Sequence, residues 1–218
     1  MLLTSKNEWF THYGLIIYIC SDTLSMTEEL ILKSISKYIN LSHGEREVFL
    51  SVLKNKKVKK KQFLSQEGDI SKGPVFVIKG ILRSYTVDKN GFEHILQFAP
   101  PGWWMADIYS MVTQRPGQLS IDAIEDSEVL LLPKPELDKL YISTPSFERF
   151  FRILAENSLI AYQQRIIGNL SQTAKERYNG FCKSYPSLID CLPQKQVAAY
   201  IGVTPEFLSK MLKKKNSS

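Results

Sequence analysis

The chain has 218 residues, of which 44% are hydrophobic and 23% charged, and its formal net charge at pH 7 is +6. This composition excludes wholesale disorder and a chain of membrane spans, and the length predicts one sizeable core plus a smaller module. The basic charge favours a polyanionic partner, with nucleic acid as the first candidate.

Cysteine and histidine usage argues against a disulfide framework and against a metal site. The three cysteines and three histidines are Cys20, Cys182, Cys191, His12, His43 and His94. No CxxC, HxH or HExxH spacing occurs among them. We therefore predict no metal ligand and no catalytic residue, and the sequence points to no particular cofactor. The unpaired cysteines favour a reducing cytoplasm.

Residues 1–25 form an N-terminal extension ahead of the first predicted helix. Their apolar run from Leu15 to Cys20 is too short to span a bilayer, and no cleavable signal pattern follows it. Met26 is a second candidate start of translation. A capping-box pattern that opens at Thr27 predicts the first helix, so we expect a folded domain over residues 26–144.

A lysine-rich run follows a second predicted helix, which extends from Ser42 to Leu53. Six of the nine residues in 54–62 are lysines. A solvated domain edge is favoured over a nucleic-acid patch, because no aromatic residue is interleaved for stacking on bases.

Residues 63–132 have the texture of a β domain, with short β-branched and aromatic runs separated by glycines. The runs VFVIKGILRSYTV and FEHILQFA flank the turn cluster Asp88-Lys89-Asn90-Gly91 and predict an antiparallel hairpin. A further strand pair, SIDAIED and EVLLLP, closes the region. Together these short strands predict a small jelly-roll barrel, and the whole chain is of the α+β class.

A long helix is predicted over residues 145–172, where apolar residues recur along one side. A small domain cannot cover such a stripe along its whole length, so the same helix of a second copy is the favoured partner. The alternative is a helix laid over its own barrel. The predicted dimer contacts are Phe147, Phe151, Leu154 and Ala161.

Residues 173–218 are predicted to form a helical domain that ends in a helix-turn-helix between Gln194 and Lys213. Val197, Ala198 and Ile201 form one apolar face, and Val203, Leu208 and Met211 form the next. Gly202 provides the left-handed turn, and Thr204 caps the second helix with Pro205 at its first position. An unrelated helical hairpin is the less favoured interpretation.

The outer face of the second helix is predicted to contact DNA, because polar and basic side chains stand there in the position of groups that reach base edges and phosphates. The predicted contacts are Thr204, Glu206, Ser209, Lys210, Lys213 and Lys214.

Barrel, long helix and helix-turn-helix in this order resemble the Crp/Fnr family of bacterial transcription regulators. The segments that carry the resemblance are EGD (67–69), VIKGILRSY (77–85), PGWW (101–104), AIEDSEVLLL (123–132), ERY (176–178) and residues 194–213. The resemblance is to the branch that stops just after the recognition helix. It implies a cyclic-nucleotide-binding-like double-stranded β-helix as sensor, a homodimer and control of transcription from a two-fold DNA site.

Cyclic-nucleotide members of that family hold phosphate with a Gly-Glu pair at the start of a short helix and an Arg-Ser pair further on. Here Gly102 matches the glycine and Trp103 replaces the glutamate, while Gly117 and Gln118 fall at the arginine and serine positions. Cyclic AMP is therefore not the expected effector, since the bidentate phosphate partner is missing. The effector-pocket candidates are Gly102, Trp103, Trp104, Arg115 and Gln118. For the two tryptophans a core role is favoured over contact with an apolar ligand, and rescue of the phosphate site by Arg115, two residues early, is not favoured.

The favoured function is a homodimeric DNA-binding transcription regulator. The alternative is a barrel sensor or scaffold that has lost specific DNA binding. An enzyme of the cupin type is not favoured, because only His94 lies in the barrel. The expected partners are double-stranded DNA, a second copy, a small effector and RNA polymerase, with no membrane.

Overall fold

The computed structural model describes residues 25–215. Its helices are α1 Met26–Ser36, α2 His43–Val52, α3 Ile108–Thr113, α4 Lys134–Ser143, α5 Ser146–Ser171, α6 Ala174–Ser184, α7 Gln194–Ile201 and α8 Pro205–Lys215. Its strands are β1 Lys54–Val58, β2 Phe63–Ser65, β3 Val75–Lys79, β4 Leu82–Val87, β5 Glu93–Ala99, β6 Trp104–Met105, β7 Ser120–Ala123 and β8 Ser127–Leu131. The interpretation of residues 1–24 as part of an extension lies outside the described residues.

The N-cap of the first helix lies two residues before the predicted cap. Ser25, not Thr27, is the N-cap of α1: its Oγ accepts from the Glu28 N–H at 3.3 Å, and the Glu28 carboxylate accepts from the Ser25 N–H at 2.8 Å. The same reciprocal pair fixes the start of α2 at Ser42 and Glu45, as the sequence predicts.

Two four-stranded antiparallel sheets form the barrel, in the orders β1-β8-β3-β6 and β2-β7-β4-β5. This arrangement confirms the jelly-roll prediction. The predicted hairpin is β4 and β5, joined across Asn90 and Gly91. The last two strands are not a pair, however, since β7 joins β2 and β4 whereas β8 joins β1 and β3.

The lysine-rich run contains a strand that its charge pattern does not predict. Residues Lys54–Val58 form β1, which pairs with β8 at one edge of the first sheet, and Val58 is its only buried residue. Lysines on an edge strand disfavour pairing with a further strand from another chain. The run is thus a solvated domain edge, as expected.

The hydrophobic core has three parts. Val77, Val129 and their neighbours fill the interior between the two sheets. Helices α1, α2, α4 and the start of α5 pack on the outer face of the first sheet. The C-terminal helices pack on the outer face of the second sheet, where Phe98 is fully buried. Each face of the barrel is therefore covered by a different set of helices.

The long helix divides into two halves with different surroundings. Phe147 and Phe150 near its start are fully buried within the chain, and the Phe147 ring stacks on Phe49 at 4.9 Å. Phe151 and Leu154 pack against the same core. Four of the 26 residues, Leu159, Ile166, Ile167 and Leu170, form an uncovered apolar stripe further along.

This division removes Phe147 from the predicted dimer contacts, whereas the half-buried Phe151 and Leu154 and the exposed Ala161 stay predictions. Phe147 belongs to the core of its own chain, and Phe151 and Leu154 contact that core. Ala161 lines a cleft between α5 and the rest of its own chain. The uncovered stripe lies on the C-terminal half of the helix. No helix among residues 25–215 is long and apolar enough to cross a membrane.

An ion-pair network joins neighbouring strands of the second sheet. Arg83 lies directly opposite Asp122 and donates to its two carboxylate oxygens at 2.7 and 2.9 Å. It also donates to Glu93 at 2.6 Å. Burial alone would lower the pKa of Arg83, but the hydrogen bonds to the two carboxylates outweigh it and raise that pKa above its usual value.

We predict that Asp122→Asn lowers the free energy of unfolding by about 2 to 3 kcal/mol, because it leaves a largely desolvated guanidinium with one carboxylate instead of two. The side chains of Arg83 and Asp122 are only 11% and 7% exposed. Urea unfolding measures the change. Glu128→Gln, which removes an exposed 3.7 Å pair with Lys57, is the control and should cost no more than about 0.5 kcal/mol. Equal losses in the two variants would contradict the prediction.

Candidate nucleic-acid interface

The turn between α7 and α8 is built by local backbone chemistry. Gly202 ends α7 with φ of 71°, and a Cβ placed there would meet nothing within 4 Å. Glycine is therefore required by the sign of φ and not by lack of space. The Val203 N–H then donates to the Ala198 carbonyl at 3.0 Å and closes the turn.

Helix α8 is oriented by its cap and by one buried side chain. Thr204 Oγ1 accepts from the Phe207 N–H at 3.2 Å, so the predicted cap is present. Leu208 is fully buried, and Val203 and Met211 are half-buried beside it. The packed face of the helix-turn-helix is thus the one that the sequence predicts.

The opposite face of α8 is open to solvent. Glu206, Lys210 and Lys213 are exposed and follow one line along the helix at intervals of four and three residues. Ser209 is half-buried beside that line, and Thr204 is exposed at its start. Lys214 lies within α8, but its side chain is outside the described part.

Two further exposed residues of the helix-turn-helix are not among the predicted DNA contacts. Phe207 is 52% exposed on α8, and Lys195 is exposed in the first turn of α7. The sequence does indicate that Phe207 is exposed, because it does not fall on the apolar face formed by Val203, Leu208 and Met211. An exposed aromatic ring on a recognition helix can contact a thymine methyl group.

Two arginines hold the C-terminal end of α7. The Arg165 guanidinium on α5 donates to the Tyr200 carbonyl at 2.8 Å and to the carbonyls of Ile95 and Leu96 on β5. Arg177 on α6 donates to the Ile201 carbonyl and to the Gln172 carbonyl, both at 2.8 Å. Cations are favourable at this end of a helix, where carbonyls lack partners.

An aromatic cluster completes the attachment of the helix-turn-helix to the barrel. Phe98 of β5 contacts Tyr185 and Tyr200, each at a ring-centroid distance of 5.7 Å, and Phe181 at 6.2 Å. Burial raises the pKa of Tyr185 well above its usual value. Through these rings the barrel contacts the C-terminal helices directly, in addition to the connection through α5.

The structure corrects the register of the predicted phosphate site. The short helix α3 begins at Ile108, and Asp107 is its N-cap, with its carboxylate accepting from the Ser110 N–H at 3.0 Å. Asp107, not Trp103, is thus the residue at the start of that helix. A Cβ on Gly117 would lie 2.5 Å from Asp107 Oδ2. With Asp107 in this position, residue 117 has no room for a side chain.

The predicted effector-pocket residues separate into two groups. Gly102, Trp103 and Trp104 line a cleft of about 380 Å³ between the barrel, α5 and the C-terminal helices. Arg115 and Gln118 are exposed and do not line it. Among residues 25–215, no group of three or more His, Cys, Asp and Glu side chains is arranged to hold a metal ion.

Comparisons with known proteins agree with this architecture. The cyclic nucleotide-binding domain family matches residues 55–144. The chain is 24% identical to the regulatory protein HlyX of Actinobacillus pleuropneumoniae, over 79% of this chain and 76% of that protein. It superposes on FixK2 of Bradyrhizobium japonicum with a TM-score of 0.66 at 20% identity, over 76% and 85% of the two chains. A Crp/Fnr-family protein of Eubacterium rectale gives 0.65 at 16% identity, over 81% and 84%.

We predict that Arg165→Lys loosens the helix-turn-helix from the barrel, because one ammonium cannot reproduce the fork that binds carbonyls on β5 and α7 together. Hydrogen exchange of residues 194–201 should become about tenfold faster, which corresponds to about 1.4 kcal/mol. Arg152→Lys, on an exposed part of α5 where the side chain pairs with Glu156, is the control. Unchanged exchange in Arg165→Lys would show that the fork does not hold the module.

Proposed function

We propose that this chain is a transcription regulator of the Crp/Fnr family, and that it acts as a homodimer that binds double-stranded DNA through α8. The observation that carries the proposal is the division of α8 into a packed face around Leu208 and an open face with Glu206, Lys210 and Lys213. A helix in the major groove needs such an open polar face.

A second copy is the proposed cover for the uncovered stripe on α5. Leu159, Gln163, Ile166 and Leu170 follow one another at intervals of four, three and four residues, which is the spacing of a two-helix seam. Leu159, Ile166 and Leu170 are 67%, 60% and 83% exposed in the single chain. Burying such side chains stabilises an assembly by about 1.5 to 3 kcal/mol each.

The two-fold axis of such a dimer sets the form of the DNA site. Two copies of α8 would enter successive major grooves on one side of the duplex, about one helical turn apart. We therefore expect an inverted repeat as the preferred sequence. Loss of specific DNA binding, the sensor alternative, has no support in the structure of the helix-turn-helix, whose turn, cap and open face are all present.

The barrel of this regulator is not expected to bind cyclic AMP in the family's manner. Residue 117 stands where the phosphate-binding arginine is expected, and the buried Asp107 carboxylate occupies the adjacent space. A carboxylate repels a phosphate. We propose cytoplasmic action on DNA, with RNA polymerase as a further partner and an effector other than cyclic AMP.

We predict that Ile166→Glu combined with Leu170→Glu converts the dimer to a monomer, because each buried carboxylate would replace an apolar contact at the seam. Analytical ultracentrifugation at micromolar concentration measures the change. Val48→Glu, at a half-exposed position on α2, is the matched control and should leave the dimer intact. A monomer before any substitution would contradict the proposed assembly.

We predict that substitution of two lysines of α8 changes DNA binding in different ways. Lys210→Ala should weaken binding to the preferred site by about 1 to 3 kcal/mol and relax its sequence, since Lys210 is placed to read base edges. Lys213→Ala should weaken binding to all sequences similarly and reduce the salt slope by about one. Selection from random duplexes, followed by binding at several salt concentrations, separates the two.

The exposed Lys139 on α4 provides the control, and Lys139→Ala should leave affinity and sequence preference unchanged. If no inverted repeat is enriched and Lys210→Ala binds as the unmodified protein does, specific recognition through α8 is wrong.

A further inference from the structure

The cleft that contains Gly102, Trp103 and Trp104 has walls from every major part of the chain. Lys37 and Tyr38 at the end of α1 form one wall, and Leu96 and Gln97 of β5 form the next. The α5 residues from Leu154 to Arg165 form a third, and Tyr185 and Tyr200 come from the C-terminal helices. Its volume of about 380 Å³ lies in the range of sites for small organic ligands.

The lining is aromatic and carries positive charge. Its six aromatic residues are Tyr38, Trp103, Trp104, Tyr162, Tyr185 and Tyr200. Two cations, Lys37 and Arg165, line it as well, and none of the described residues around it is an aspartate or glutamate. An uncharged apolar ligand would form no ionic contact with these two cations, and a cationic ligand would be repelled by them.

The positive charge of Arg165 is not neutralised by a carboxylate. The hydrogen bonds of its guanidinium go to the carbonyls of Ile95, Leu96 and Tyr200, and its carbon lies 4.2 Å from the centre of the Tyr200 ring. Carbonyls fix the position of the group and leave its net charge in place. An anion in the cleft would therefore be attracted at a partly desolvated position.

One buried donor in the lining also lacks a partner. The Trp104 ring is held by Phe76, Phe150 and Phe151 at centroid distances of 5.2, 6.1 and 5.4 Å. Its Nε1 is buried without a hydrogen-bond acceptor among the described residues. A buried N–H of this kind is costly to leave unpaired.

The opening presents a stacking surface. Trp103 is 40% exposed, and its ring lies 5.5 Å from that of Tyr185 at an interplanar angle of 31°. A planar ring can lie against such a surface with little loss of conformational freedom, since few rotatable bonds are involved.

We propose that this cleft binds a small aromatic compound that carries one acidic group, with the ring against Trp103 and the acid toward Arg165 and Lys37. The site is separate from the barrel position at Asp107 and Gly117. Because its walls come from β5, α5 and the C-terminal helices, a bound ligand would also bias how α7 and α8 sit on the barrel. That second step rests on the proposed DNA-binding function, whereas binding itself does not.

Naphthalene-2-carboxylate is a suitable probe for binding to the cleft. The control compound is 2-naphthalenemethanol, which has the same ring system but no charge. The full chain labelled with ¹⁵N-tryptophan reports binding through the indole N–H signals of Trp103 and Trp104. We expect both signals to shift with a dissociation constant of roughly 0.1 to 1 mM for the acid. The alcohol should bind about tenfold more weakly. Equal binding of acid and alcohol, or no shift at 5 mM acid, would overturn the proposal.

Two matched lysines on α1 test the role of charge. Lys37→Gln should remove most of the acid's advantage over the alcohol, whereas Lys33→Gln, one turn earlier and outside the cleft, should leave it unchanged. The same weakening in both variants would mean a general surface effect and would overturn the site. Trp103→Ala should reduce binding of acid and alcohol alike, and unchanged binding of both would equally exclude this cleft.

DNA affinity measured with and without saturating acid tests the coupling separately. A change of threefold or more is expected, and an unchanged affinity would overturn the coupling while the indole shifts still establish the site. Failure of the unliganded protein to bind DNA would instead contradict the proposed function, independently of the cleft.

Discussion

The contact of Arg165 with three main-chain carbonyls is the constraint on which the arrangement of the domains depends. One planar guanidinium, carried by α5, reaches the carbonyls of Ile95 and Leu96 on β5 and that of Tyr200 at the end of α7. Main-chain carbonyls at a strand surface and at a helix end need donors, and a fork of fixed geometry supplies them together. Barrel, long helix and helix-turn-helix are thereby held at one point.

The same helix has two distinct tasks along its length. Its first turns, with Phe147 and Phe150, complete the core on the outer face of the first sheet. Arg165 follows near the middle of the second half and faces the body of the chain, while Ile166 and Leu170 face away from it. Intrachain attachment and the proposed dimer contact therefore use different faces and do not compete for the same side chains.

The barrel position at Asp107 and the proposed cleft carry opposite charge. Asp107 caps α3, and its buried carboxylate fills the space next to Gly117. Positive charge is found instead at Lys37 and Arg165, in a cleft with aromatic walls. An anion is therefore favoured in the proposed cleft over the barrel position at Asp107.

Structural features that depend on only a few neighbouring residues were determined by the sequence alone. The turn at Gly202, the cap at Thr204 and the hairpin across Asn90-Gly91 are present as predicted, because φ preferences and caps act over at most one helical turn. Only the tertiary structure decided which part of α5 is covered by its own chain. It also decided that Arg115 does not line the same cleft as Trp103. Periodicity identifies an apolar face, but which part of it is buried depends on elements distant in the chain, such as α2 and β3.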